Sequence, residues 1–590
     1  MNTQSLDTPN NFFESKVMGH PSGLFVLFFT EMWERFSFYG MRVLLINFLT
    51  TAVISGSHFS GWGWGAENAG ALYGTYAMLL YITPIFGGIL ADKYLGYRWA
   101  VVIGAAVMTL GHASMAIESP VFLYLGLALL VVGTGFFKPN MTSILSQMYK
   151  DFPEKKDGAY TIFYMGVNAG AFFGMMLCGY LAEKIGWHWG FGLAGVFMFL
   201  GTLQFWLAKP IFGNIGDKPT KASRLAADNA SKASTNEEDK LNPFTLTDKI
   251  LIGITTLIGL LYAFGDPLHK IGHINLFPFE FNGMQGQTVV VVVGLLLFLL
   301  LVISRLIRYT KVIRDRMIAV IVFAFFTIFF WMSFEQGASS LVIFARDNVD
   351  RTLQGNSLIL FNIVNTLLTV VPLILISYVV IKLSQQTFKK APGSNIAQFV
   401  CFTFIWGIVI WMLYREFTAE TSEITVSWFS IMNSFFIIAF ASVVSKIWDS
   451  KYNPPAAVKY GMGLIIMSLG FGLLAFGSHG VAEGVKVSMI WLVLAYLFHT
   501  LGELCLSPVG LSYVSKLVPA RMIAFMFGMW YLAIAIGNKL AAIIGGQIEN
   551  ITKEYSLSTF FLIFTVVPMV AGVLVMLLHP LLKKLMHSVR

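Results

Sequence analysis

The chain alternates long apolar runs with short polar breaks. Runs long enough to cross a bilayer, about 20 residues each, fall near 23–51, 68–91, 98–117, 120–149, 158–183, 189–209, 248–264, 287–304, 317–345, 357–383, 395–415, 426–448, 457–477, 488–517, 521–546 and 558–579. The run 248–264 is the shortest. A backbone in lipid must satisfy its own hydrogen bonds, so the pattern predicts an all-α polytopic membrane protein with about 16 transmembrane helices. An even number puts both termini on one side. No short basic-then-apolar leader opens the chain; the first run, with charges inside it, is expected to persist as a helix.

Composition sharpens this reading. Of 590 residues, 56% are apolar and only 12% charged, about half the charge of an ordinary soluble domain. That excludes a soluble enzyme, a disordered chain and a disulfide-rich secreted module. The net charge of +9 fits cationic cytoplasmic loops rather than nucleic-acid binding. One alternate set of loops holds Asp92-Lys93 to Arg98, Lys150 to Asp157, and Arg305, Arg308, Lys311, Arg314 and Arg316. It continues with Lys389-Lys390, Lys446 to Lys459, Lys516 to Arg521 and the tail Lys583, Lys584 and Arg590. The opposite set is poorer in cations; 416–426 has Glu416, Glu420 and Glu423 and none. The first set and both termini are therefore expected in the cytoplasm. Cys178, Cys401 and Cys505 lie in separate apolar runs without a C-x-x-C pair, which implies neither disulfide nor metal.

The sequence also echoes itself weakly. Phe163-Tyr164 leading to Gly179-Tyr-Leu-Ala-Glu183 resembles Trp530-Tyr531 leading to Gly545-Gly-Gln-Ile-Glu549, as in transporters built from repeated halves.

Charges inside spans carry the chemistry, because they are costly in lipid. In the first span, Glu31, Glu34 and Arg35 stand at i, i+3 and i+4 on one face, and Tyr39 and Arg42 continue the stripe. Such a stripe must line a wet cavity or pair with other helices; a purely structural ion-pair cluster is the alternative. Lys138, next to Pro139, Glu335 after Trp331, and Glu503 before Pro508 lie in other apolar runs. Asn168 and Asn433 are amides in further spans, where an interhelical hydrogen bond competes with a ligand role. Acids, cations, amides and aromatics together suit a zwitterion: its carboxylate wants Arg or Lys, its ammonium wants Glu and amide oxygens. The acids also offer proton sites. With no P-loop, H-E-x-x-H or G-x-S-x-G motif, neither an enzyme nor a cofactor is expected. A proton gradient remains as the energy source.

Glu31-x-x-Glu34-Arg35-Phe36-x-Phe38-Tyr39 resembles the E-x-x-E-R-F-x-Y-Y signature of the proton-dependent oligopeptide transporter family (POT or PTR2), a branch of the major facilitator superfamily. Phe163-Tyr164 to Asn168-Ala-Gly170 resembles its second signature. Lys138-Pro139-Asn140, Trp331 to Glu335-Gln336, and Glu503 to Ser507-Pro508-Val509-Gly510 also fit. Gly87-Gly88-x-x-Ala91-Asp92-x-x-x-Gly96-x-Arg98 resembles the superfamily's loop between helices two and three. The resemblance implies a major facilitator fold of the bacterial type, with two six-helix bundles plus extra helices in the inner (plasma) membrane. It implies uptake of di- and tripeptides with protons by a monomer. Glu31, Glu34, Arg35 and Lys138 would form a proton-linked cluster and Glu335 a second protonation site. Arg35 and Lys138 would hold the peptide carboxylate, and Asn168, Asn433 and Glu503 the amino end. Tyr39, Tyr81, Tyr164, Trp331 and Trp530 would line side-chain pockets, and Arg42 would add positive potential.

The chain departs from the family pattern in three ways. Phe38 replaces a signature tyrosine. Gly74, between Tyr73 and Thr75, stands where mammalian members carry a histidine. A further apolar pair, 357–383 and 395–415, follows the seventh core helix. The expected organisation is 1–210 as an N-terminal six-helix bundle, 211–247 as a polar linker and 248–316 as an inserted helix pair. A C-terminal bundle at 317–590 would hold the second pair, facing lipid or touching the extracellular gate. A peptide-like or organic-anion substrate, or a sensor that binds peptide without moving it, are the competing functions.

Overall fold

The computed structural model describes residues 16–152, 155–218, 220, 242–481, 484–517 and 523–587. Most of the expected linker and part of the loop Lys516 to Arg521 lie outside the described residues. Sixteen long helices occur among the described residues: α1 (Ser22–Thr50), α2 (Ala66–Leu90), α3 (Tyr97–Met115), α4 (Pro120–Met148), α5 (Lys156–Lys184), α6 (Trp187–Leu207), α7 (Leu246–Lys270), α8 (Gly286–Leu306), α9 (Lys311–Phe334), α10 (Asn356–Thr387), α11 (Pro392–Thr418), α12 (Val426–Trp448), α13 (Ala456–Gly477), α14 (Met489–Leu517), α15 (Ile523–Gly545) and α16 (Leu557–Leu577). Fourteen of these segments are long and apolar enough to cross a membrane. The other two, α1 and α3, pack among them. The run 248–264, shortest in the sequence, becomes a 25-residue helix.

Packing repeats between the halves. In the first, α1 lies on α5 and α6, α3 on α4 and α6, and α2 on α4. In the second, α9 lies on α15 and α16, α13 on α14 and α16, and α12 on α14. Between halves, α2 meets α15 and α5 meets α12, again a symmetric pair. The weak sequence echo thus has a spatial meaning. At the end of α5, Glu183 accepts the Val426 and Ser427 backbone N–H groups at 2.9 and 3.3 Å, where an anion meets the positive end of α12. Its counterpart Glu549 lies at the start of α2, where a Cβ on Gly65 would come within 3.7 Å of its carboxylate.

Two helix pairs lie outside this core. The α7–α8 pair opens on a capping box, in which Thr245 and Asp248 exchange side-chain and backbone hydrogen bonds. Arg305 and Arg308 of α8 reach the same Asp248 carboxylate at 3.3 and 2.5 Å, tying the pair together at that end. The α10–α11 pair is spliced between α9 and α12, yet α11 packs on α6, in the other half. Its outer surface, including Ile363, Leu367 and Leu375, is exposed, as a lipid-facing surface should be.

The superfamily-like loop follows α2 as one turn of π-helix, Ala91–Leu95. Gly96 is required there: its φ is 80°, and a Cβ would press on the Asp217 carbonyl carbon at 2.7 Å. Arg98 then pairs with Asp217 at 2.5 Å, and its backbone N–H donates to Gly216 at 2.9 Å. The motif therefore anchors the segment that leaves the first half.

Polar contacts between the halves gather at one end of the bundle. Besides Glu183, Arg346 donates to Thr50 Oγ1 at 2.7 Å, and Arg351 lies 3.8 Å from Glu183. This end, with loops 51–65, 348–355, 478–481 and 484–488, is pinned.

Candidate substrate and proton site

The stripe on α1 folds into one cluster. Arg35 Nε lies 2.8 Å from Glu31 Oε1 and 3.1 Å from Glu34 Oε2. Glu34 is 1% exposed, yet neither of its carboxylate oxygens has a hydrogen-bond partner. Gly170, from the second signature, allows α5 to approach this turn; a Cβ there would collide with the Met32 carbonyl oxygen. Phe38 fills the place of the signature tyrosine as a π-face, with the Arg35 and Arg42 guanidinium groups each 5.9 Å from its ring centre. Tyr39 presents its ring to Arg42 at 5.8 Å.

One turn on, α1 reaches across to the other half. Arg42 Nη2 pairs with Glu335 Oε2, and Arg42 Nε donates to the Tyr73 hydroxyl at 2.7 Å. That hydroxyl donates to Glu335 at 3.4 Å. Arg42, Tyr73 and Glu335 thus close the pinned end from inside. Lys138 does not join the carboxylates: its Nζ lies 4.5 Å above the Tyr81 ring. Among the described residues it has no acid within 4 Å, although its charge acts on Glu34 and Glu31. Asn433 donates to Glu503 Oε2 at 3.0 Å and to Thr500 Oγ1 at 3.1 Å, so these two expected site residues meet directly. Tyr164 is 51% exposed. Asn168, one turn away, donates to the Tyr164 carbonyl at 3.0 Å. Trp331 is half-buried beside Phe334. Trp530 is only 3% exposed, edge-on to Tyr460, and presents little surface to a cavity here.

Two features escaped the sequence reading. Tyr73 figured only as a neighbour of Gly74; nothing in an aromatic on an apolar helix marks it as an ion-pair partner. Lys539 on α15 is a cation inside an apolar run, and that signal was available. Its Nζ lies 2.6 Å from Asp266 and donates to Thr75 Oγ1 at 3.0 Å. Its stem passes over Gly74, where a Cβ would touch Cδ at 3.2 Å. Asp266 lies just past the run 248–264 and reads there as a loop residue. Lys270 extends the network to Asp266 and Glu67, each at 3.1 Å, so the α7–α8 pair is locked to both halves. Removing one member of a buried pair costs about 3–5 kcal/mol. Asp266→Asn should therefore lower the melting temperature in detergent, and adding Lys539→Met should restore it. An unchanged melting temperature in the single variant would show that the network adds no stability.

Among the described residues, no group of three His, Cys, Asp or Glu side chains is placed to hold a metal ion. The family model described as "PTR2: POT family" matches residues 98–404 and 399–563. The chain belongs to the POT family. The two matched segments join inside α11, within the second inserted pair. Similar proteins include the peptide transporter YePEPT of Yersinia enterocolitica, 29% identical over 97% of this chain and 96% of that one. The di-/tripeptide transporter of Lactococcus lactis subsp. cremoris is 26% identical over 98% and 99%. A crystal structure of a mutant peptide transporter POT in complex with alafosfalin superposes with a TM-score of 0.69, at 27% identity over 98% of both chains. Glu31 and Glu34 lie on the first helix of this multi-pass major facilitator fold.

Proposed function

We propose that this POT member is a symporter that imports di- and tripeptides with protons by alternating access. The observation that carries this reading is Glu34: a carboxyl group 1% exposed, without a hydrogen bond to either oxygen, beside Arg35. A buried acid so placed is stabilised by taking a proton. Lys138, free of acids within 4 Å among the described residues, and Arg35 receive the peptide carboxylate; its arrival draws Arg35 off the glutamates and favours their protonation. Glu503 and Asn433 take the ammonium group, with Asn168 nearby. Tyr39, Tyr81, Tyr164, Trp331 and Trp530 contact the side chains, Trp530 once the halves have moved. Glu335 holds Arg42 until it too is protonated, which frees the pinned end. The names of the relatives support peptides as substrate. The loop charge bias supports an orientation with the pinned end outside a bacterial plasma membrane and both termini inside. The protein works as a monomer without a cofactor, and it is not an enzyme.

Purified protein in liposomes should accumulate labelled dialanine when an inward proton gradient is imposed. Binding without accumulation would mean a sensor, and dialanine that fails to compete with a transported solute would mean another substrate. Glu503→Ala should weaken dialanine by about tenfold, the value of one charge-assisted hydrogen bond, while leaving N-acetyl-dialanine nearly unchanged. Equal loss for both peptides would remove Glu503 from the ammonium site.

A further inference from the structure

The second inserted pair has no counterpart in the symmetric core, and its packing contradicts its place in the chain. By sequence α10 and α11 interrupt the C-terminal half. In space they rest on the N-terminal one. Trp33, between the signature glutamates in sequence, donates its indole N–H to Gln398 at 3.1 Å, both groups being buried. Phe402 sits edge-on to Phe29 and Trp33 at 5.8 and 5.7 Å. Ser394 donates to the Gln204 carbonyl at 2.7 Å, and Thr369 reaches Met176 at 3.3 Å. Tyr180 donates to Glu416 at 2.6 Å. These anchors run the full length of α11, from one end to the other.

Contacts with the C-terminal half are of another kind. Trp428 donates to Asn365 at 3.2 Å and lies tilted against Phe361, ring centres 5.2 Å apart. All three residues lie within about three helical turns of where the pair is tethered. The tethers are short extended segments, paired as Thr352–Gln354 with Thr421–Glu423, and the first ends on Gly355 with φ of 57°.

We propose that the α10–α11 pair is a fixed part of the N-terminal moving body, a strap joined to the C-terminal half through hinges at 349–355 and 419–425 and the Trp428 contact beside them. This rests on the alternating-access reading above. The physical reason is leverage. Gly393, at the far tip of α11, lies about 39 Å along the helix from its tether. If the strap turned with the C-terminal half through about 15°, the scale of known rigid-body switches, its tip would drag about 10 Å across α6. That slide would strand the Trp33 N–H and the buried Gln398 Oε1 that accepts it in lipid, where an unsatisfied group costs several kcal/mol. Bending the two tethers costs less, because only short extended segments move and buried Val349, Leu353 and Ile424 alternate there with exposed Asp350, Thr352, Gln354 and Thr421. The strap also backs the turn of α1 that holds Glu31, Glu34 and Arg35, so that turn and the strap travel together.

A disulfide tests this directly. A Cβ on Gly393 would lie 3.7 Å from the Leu207 Cβ, inside the range of disulfide geometry. Native Cys178, Cys401 and Cys505 are buried, so Leu207→Cys with Gly393→Cys should oxidise selectively. Oxidation should lock the tip of the strap to α6 and leave dialanine uptake within about twofold of the reduced protein, since the locked parts already move as one. A loss beyond about tenfold that dithiothreitol reverses would show that the strap travels with the C-terminal half. Failure of the disulfide to form would overturn the packing itself. As a control, a short bismaleimide bridge between cysteines at Thr50 and Arg346 joins the two halves at the pinned end and should stop uptake. If the unmodified chain moves no peptide, the transport reading fails by itself, and pulsed electron paramagnetic resonance still reads the strap. Nitroxides at Phe199 and Ile396 should then keep one distance between acid and neutral pH, with and without dialanine, while a pair at Ile396 and Tyr452 changes. The reverse pattern would reject the proposal.

Discussion

Glu34→Gln is expected to abolish accumulation of peptide against a gradient while leaving exchange of peptide across the membrane in place. The driving force is worth about 2.3 kcal/mol per 100 mV, and about 1.4 kcal/mol per pH unit. At 100 mV and one pH unit that supports an accumulation of several hundredfold, since each 1.4 kcal/mol is about tenfold. Glutamine keeps the shape of a neutral Glu34 but cannot release a proton, so the accumulation ratio should fall to about one. Counterflow of labelled for unlabelled dialanine, which needs no net proton movement, should continue. Lys138→Ala should lose both activities, because the peptide carboxylate loses a cation that no neighbouring acid occupies. Liposome uptake with and without an imposed gradient measures both variants. Full concentrative uptake by Glu34→Gln would take the proton site away from Glu34.

The second large effect is expected at the pair that spans the halves. Arg42 and Glu335 have side-chain exposures of only 16% and 2%. Arg42→Ala leaves Glu335 without its cation, a change of about 3–5 kcal/mol against the closed arrangement. A shift of that size moves a two-state population by about two to four orders of magnitude. The pinned end should open in the absence of peptide. Nitroxides on the exposed residues Val53 and Val485, in loops of opposite halves, should report a longer distance in Arg42→Ala than in the parent chain. Glu335→Gln should open it less, because a neutral amide still accepts from Arg42 and Tyr73. The same distance distribution in Arg42→Ala and parent would mean that other contacts, with Glu183 and Lys539 foremost, hold the end shut.

The site was legible where its chemistry contradicts its surroundings. Glu31, Glu34, Arg35 and Arg42 stand out because charge in an apolar run demands a partner, and the structure supplies those partners within one turn or across the halves. Glu503 and Asn433 were each visible alone, but their hydrogen bond depends on how α12 lies against α14. Tyr73 was hidden because an aromatic residue costs nothing in an apolar helix, so its hydroxyl gives no sign of what it holds. Lys539 and Asp266 illustrate the opposite failure: the lysine is conspicuous, but its carboxylate partner sits more than 270 residues away.

By itself the sequence determined that the chain is built of about sixteen helices and roughly where each lies, because an apolar run of that length satisfies its own backbone in lipid as a helix; the bounds moved, as where the run 248–264 became Leu246–Lys270. It also determined the family, through residues whose spacing on α1 is local. Which helix meets which was decided by tertiary structure, because one apolar surface is as acceptable to lipid as another and packing depends on shape. That is why the α10–α11 pair, continuous in sequence with the C-terminal half, could come to rest on the N-terminal one: Gln398, Phe402 and Ser394 fit Trp33, Phe29 and Gln204, and no run of hydropathy records that fit.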